Sequence, residues 1–206
     1  MSRRVKISRV WLAGIGGFLL GVIIILAIRF FTYDAGHIHY HANFGVYING
    51  QQEQFKGPAY YEEETACKAE AKMTPKERVH MHDKIYDVVH VHDRAVTWGQ
   101  FFENLGWSLG KDWLTSQDKI YASDRQSKLS IILNGQNMTG VSSITNSVIK
   151  DLDKLLVSYG SDGQDELQKR YAAISDTARQ HDQEDDPASC SGPSTTTLSD
   201  RLHHIF

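Results

Sequence analysis

Cysteine is almost absent from this sequence of 206 residues: Cys67 and Cys190 are its only thiols, and neither belongs to a CxxC or lies beside a histidine. This argues against thiolate metal ligands and against a redox-active pair. Positive charge in excess is missing too. The formal net charge is -3, with no basic block beyond the N-terminus, so there is no electrostatic footprint for nucleic acid. Met73, Met81 and Met138 are scattered rather than grouped, which speaks against a methionine-rich copper(I) carrier. No P-loop, nucleophile elbow or HExxH helix occurs, and no internal repeat is found at a solenoid period, so no named catalytic motif directs the reading.

What is present begins with one apolar run. Val10 to Ile28 contains no charge, and as a helix it would span roughly 28 Å at about 1.5 Å per residue, close to the hydrocarbon thickness of a bilayer. The run predicts a transmembrane helix over 10–31. Arg3, Arg4, Lys6 and Arg9 precede it, so the positive-inside rule puts residues 1–9 in the cytoplasm and everything after Phe31 outside, at the cell membrane. The stretch Thr32-Tyr33-Asp34-Ala35-Gly36 offers no good small-x-small cleavage site, which favours a single-pass anchor over a signal peptide. Gly17 and Gly21 form a GxxxG pair that would support a homodimer through this helix. Export also predicts a disulfide between Cys67 and Cys190, tethering the tail.

Residues 32–160 read as one extracytoplasmic α+β domain. From 38 to 49 the residues alternate: Ile38, Tyr40, Ala42, Phe44, Val46 and Ile48 share one side, while His37, His39, His41, Asn43, Tyr47 and Asn49 share the other. That pattern predicts a half-buried strand, followed by an Asn49-Gly50 turn and a short return over Gln52 to Phe55. Residues 56–84 are polar, with Pro58, Pro75 and the run Glu62-Glu63-Glu64, and read as an insertion. Ile85 to Val91 predicts a second major strand. Thr97 and Gln100 form a capping box, and Trp98, Phe101, Phe102 and Leu105 make one apolar stripe before Gly106, predicting the main core helix. Lys119–Ala122, Leu129–Leu133 and Lys154–Ser158 are further strand candidates. Residues 161–206 read as a helical segment followed by a flexible tail from about His181.

Histidine is the unusual component, at ten residues. Seven fall in His37-Ile38-His39-Tyr40-His41, His80-Met81-His82-Asp83 and His90-Val91-His92-Asp93. In an extended chain an HxH presents both imidazoles on one face while the residue between turns to the core. Neutral imidazole suits zinc and copper(II), so His39, His41, His80, His82, His90 and His92 are the predicted metal ligands. Asp83, Asp93 and His37 are candidates for further ligands or for outer groups that orient them. His181, His203 and His204 lie in or near the predicted tail and are left out.

The elements His39-Tyr40-His41, His80-Met81-His82-Asp83, Val89-His90-Val91-His92 and Thr97-Trp98-Gly99-Gln100-Phe101-Phe102 resemble, as a set, a pattern seen in membrane-anchored extracytoplasmic His-rich proteins of unassigned activity. The resemblance covers roughly residues 37 to 160 and implies a location rather than a reaction. His92 stands where such sequences often carry glutamate. The C-terminal strand, its Asn134-Gly135 turn and Val157-Ser158-Tyr159-Gly160 also look like a β-grasp arrangement, which implies mixed strands packed on one main helix. Three functions are compatible with these residues: a metal protein that captures or hands over zinc or copper, a metal-dependent enzyme with Asp83 or Asp93 as base, and a metal-free interaction module.

Overall fold

A computed structural model describes residues 9–33, 38–62, 73–138, 144–183 and 198–203. The chain divides into two compact units, residues 1–36 with 193–206, and residues 37–192. In the first unit helix α1 (Arg9–Thr32) carries no acidic residue. Its large apolar side chains, among them Trp11, Phe18, Ile23 and Phe31, are exposed, as expected of a helix whose surroundings are apolar. Ala13–Thr32 is long and apolar enough to cross a membrane. At its C-terminal end Arg201, on the short helix Leu198–His203, donates to the Phe30 and Phe31 carbonyls at 2.7 and 3.1 Å. These carbonyls have no partner within the helix itself.

The second unit starts with strands β1 (Tyr40–Ile48) and β2 (Gln51–Gln52). Asn49 and Gly50 join them with φ of 47° and 89°, the left-handed pair that a tight hairpin requires. Helix α2 (Pro75–Arg78) is a single turn, capped reciprocally by Thr74 and Glu77, and runs directly into β3 (Val79–His80). Strand β4 (Val88–Val91), helix α3 (Trp98–Asn104) and the short strands β5 (Ser108–Leu109), β6 (Trp113–Thr115) and β7 (Ile120–Ala122) follow. Next come β8 (Lys128–Leu133), β9 (Gln136–Asn137) and β10 (Lys154–Gly160). Helices α4 (Gln164–Ala173) and α5 (Ala178–His181) complete the described part of the unit.

The larger sheet has the order β3-β4-β1-β10-β8-β9, with β2 beside β1; β5, β6 and β7 form a smaller sheet. β1 and β10 are parallel neighbours, while β4 and β8 run antiparallel to them. The fold is α+β with a mixed sheet. On one face Ala42, Phe44 and Val46 of β1 join Val89, Val91, Leu155 and Val157 against Trp98, Phe101 and Phe102 of α3. Each of those large side chains contributes about 1.5–3 kcal/mol by burial. The predicted capping box of α3 forms, Thr97 accepting from Gln100 N and Gln100 accepting from Thr97 N. Gly99 allows the helix to approach closely, because a Cβ there would lie 2.6 Å from the Thr145 carbonyl oxygen.

The opposite face has its own apolar cluster, in which Tyr47, Ile132 and Leu156 meet Leu167 and Ile174. β1 is therefore buried on both sides, not half-buried as its alternation predicts. The cause is the chain after Gly160: α4 and the residues following it cover the second face, and residues 37–192 cluster as one unit. Gly45 fits this contact, since a Cβ would come 3.0 Å from Ile174 Cγ1. The expected insertion also differs. Val79–His80 is not loop but the edge strand β3, paired with β4. The predicted strand from Ile85 is shorter, with Asp83 and Lys84 at φ of 55° and 59° in the turn before it.

Candidate metal centre

Sheet register brings the histidines together. Across β1 and β4 His41 faces His90, and across β3 and β4 His80 faces the same His90. Side chains alternate along a strand, so Val79, Met81 and Val91 enter the apolar core while their histidine neighbours emerge on the other face. Tyr40 also turns to the core side, its hydroxyl donating to the Ile149 carbonyl at 2.8 Å.

The six predicted ligands form a closed chain of neighbouring rings. Centroids are 4.6 Å apart for His39 and His41, 4.2 Å for His41 and His90, and 3.6 Å for His90 and His82. They are 5.9 Å apart for His82 and His80, 5.1 Å for His80 and His92, and 4.9 Å for His92 and His39. Within this group His39, His41 and His90 each offer a ligand atom such that all three atoms lie within 4.8 Å of one another. Two nitrogens bound to a tetrahedral zinc at 2.0–2.1 Å are about 3.3 Å apart, so this triad is close to a coordinating arrangement. His41 and His90 are almost wholly buried, at 1% and 2% exposure.

Hydrogen bonds set the tautomers. His41 Nδ1 lies 2.6 Å from Asp182 Oδ1, and His41 Nε2 lies 2.9 Å from His90 Nδ1. A carboxylate only accepts, so the proton of His41 belongs on Nδ1. Nε2 of His41 then accepts from His90 Nδ1–H, which leaves the lone pair of His90 on Nε2. That atom is buried and takes no hydrogen bond among the described residues. Behind Asp182 stands Asp151. Burial raises the pKa of both carboxyls, and the hydrogen bond between them raises Asp151 while lowering Asp182. Of the two, Asp151 is the one that their shared hydrogen bond favours as donor, with Asp182 as the acceptor that also faces His41.

Burial also drives the imidazoles towards the neutral form that a metal requires. It is the largest influence on His90 and His92, followed by the neighbouring rings, His82 foremost for His90 and His80 foremost for His92. Both are lowered, His92 to about 2.

One participant escaped the sequence reading. His181, at the end of α5, has its ring 5.6 Å from His41 and 6.0 Å from His90. The low hydrophobicity of the sequence from about His181 predicts a tail there, and this histidine also stands outside any HxH pattern. The signal available in sequence was Ala178 at helical spacing from Ile174, which announces a buried face just before it. Asn43 positions this segment: its side-chain oxygen accepts from Ala178 N at 3.0 Å, and its amide donates to Ser175 Oγ at 2.8 Å.

The two candidate carboxylates separate. Asp83 Oδ2 is 2.6 Å from His82 Nδ1, whereas Asp93 pairs with Arg78 and leaves the imidazoles alone. His37, His204, Cys67 and Cys190 lie outside the described residues. No known protein family, no curated protein and no solved structure matches the chain.

Proposed function

We propose that this chain is a membrane-anchored, extracytoplasmic protein that holds a transition metal, zinc or copper(II), through His39, His41 and His90. One observation carries the reading: His90 Nε2 is buried and lacks a hydrogen-bond partner among the described residues, within a triad of suitable ligand spacing. An orphaned buried acceptor is costly, and a cation bound there removes the cost. An all-imidazole set suits zinc and copper(II), where hard cations such as calcium would call for oxygen. When bound, the ion would supply Lewis acidity, and the protein's part is to keep the imidazoles neutral, oriented and dry.

α5 lies over the buried rings, which favours retention of an ion over turnover of a substrate. The apolar length of α1 supports a single-pass anchor, and the basic residues before it support a cytoplasmic N-terminus. The parallel pair β1 and β10 at the centre, with α3 packed across the sheet, supports the β-grasp-like reading. The close approach that Gly99 permits gives physical content to the TxGxFF element of the resemblance.

The test is elemental analysis of the full chain, purified in detergent without a histidine tag. At least one equivalent of zinc or copper is expected, with one equivalent lost in His90→Ala. Absence of retained metal, together with no thermal shift on adding either ion, overturns the reading.

A further inference from the structure

Resting on that metal-binding reading, we propose that the centre is binuclear, with His80, His82 and His92 holding a second ion beside the triad. A closed zinc site takes four ligands, and the three HxH pairs alone bring six imidazoles into one patch. His80 and His82 are buried, at 4% and 7% exposure, and their rings lie within 6.1 and 3.6 Å of that of His90.

Their outer contacts are those of ligands. Metal-bound histidines nearly always donate the other ring N–H to a carbonyl or carboxylate, which fixes the tautomer. His80 Nδ1 is 2.9 Å from the Lys76 carbonyl oxygen, so Nδ1 is the donor and Nε2 carries the lone pair. His82 Nδ1 is 2.6 Å from Asp83 Oδ2, which gives the same tautomer, and its Nε2 is buried. The backbone is bent to make this second contact. Asp83 sits at φ 55°, a conformation that aspartate tolerates better than most residues, and the turn carries its carboxylate back onto the preceding imidazole. On the triad side Asp182 does the same for His41. Each half of the patch thus has its own carboxylate orienting an imidazole, which would offset part of the charge of two adjacent dications.

The halves touch at two seams. His39 and His92 are 4.9 Å apart with rings nearly parallel, and His82 and His90 are 3.6 Å apart. Two ions held on either side of these seams would be near enough to interact magnetically.

The experiment loads the detergent-solubilised full chain with zinc or copper(II), removes excess by dialysis, and counts metal per chain. Two equivalents are expected. His80→Gln with His82→Gln should retain one, and His39→Gln with His41→Gln should also retain one. A single equivalent in the parent chain, abolished by either pair of substitutions, overturns the binuclear proposal while leaving the metal-binding reading intact. No metal in the parent chain overturns both. Should either double variant fail to fold by circular dichroism, the parent's copper(II) paramagnetic resonance decides. A spin-coupled spectrum at two equivalents supports the proposal, and a spectrum of isolated copper(II) overturns it.

Discussion

At the scale of single residues, the influence of Asp182 on the centre is indirect and testable. It holds the proton of His41 on Nδ1 and thereby leaves the lone pair on Nε2, which accepts from His90 here and which an ion would take in place of that bond. Removing such an orienting partner typically costs 10–100-fold in metal affinity. Asp182→Ala is expected to weaken metal binding by about that factor, and Asp182→Asn by less, because an amide oxygen still accepts from the ring. Competition with a chromophoric chelator measures both. This residue was illegible in the sequence, and the reason is physical. An HxH advertises itself through strand periodicity, so His39, His41, His80, His82, His90 and His92 could be chosen before any fold was known. Asp151, His181 and Asp182 join them by tertiary contact alone. Asp83 and Asp93 follow identical HxH pairs, yet only Asp83 reaches an imidazole; Arg78, brought alongside by the α2 turn, takes Asp93.

The elements differ in how far they depend on their neighbours. α5 is a single helical turn, too short to persist alone, and Asn43 of β1 clamps it in place. Beyond its bond from Ala178 N, Asn43 donates to Ser175 Oγ and Thr177 Oγ1 at 2.8 and 3.2 Å. Asn43→Ala leaves these groups to find other partners, at a cost of about 1–3 kcal/mol. Denaturant unfolding should register that loss, and hydrogen exchange should show earlier deprotection of 175–182 than of β1 and β10. Elements specified locally were readable: the Thr97 and Gln100 capping box announced α3, and the Asn-Gly pairs announced two hairpins. β3 was hidden because it follows a proline-initiated turn in a polar stretch and gains its strand character from β4. β5 and β6 are too short to show an alternation, and Gly110 separates them.

For the molecule as a whole, buried neutral imidazoles make stability depend on pH. Unfolded histidines take a proton below about pH 6.5, but folded His90 and His92 resist it. The unfolded chain therefore binds more protons in acid. Their contribution to stability is complete above pH 6.5 and is lost as pH falls from there towards the folded value of His92, about 2. Each such ring adds a slope of roughly 1.4 kcal/mol per pH unit well below its unfolded pKa. The raised carboxyls Asp151 and Asp182 act in the opposite sense, giving stability in acid that is lost as pH rises through their folded pKa values, so they soften the decline. Urea midpoints of the metal-free chain should be level above about pH 7 and fall steeply between about pH 6 and 4. A level profile throughout would mean that the rings titrate freely.

The central position of β1 carries a consequence for the order of assembly. Its first long partner, β4, is near in sequence, but its other neighbour is β10, with Asn43 opposite Lys154. Contacts between residues so distant along the chain form slowly. The pairing of β1, β4 and β3 can gather the imidazoles before β10 has joined, whereas α5, which follows β10 in the chain, reaches its seat on Asn43 of β1 later. An ion arriving at that stage would meet an open basket of histidines on a half-built sheet, and the last described segment of the unit would close over it.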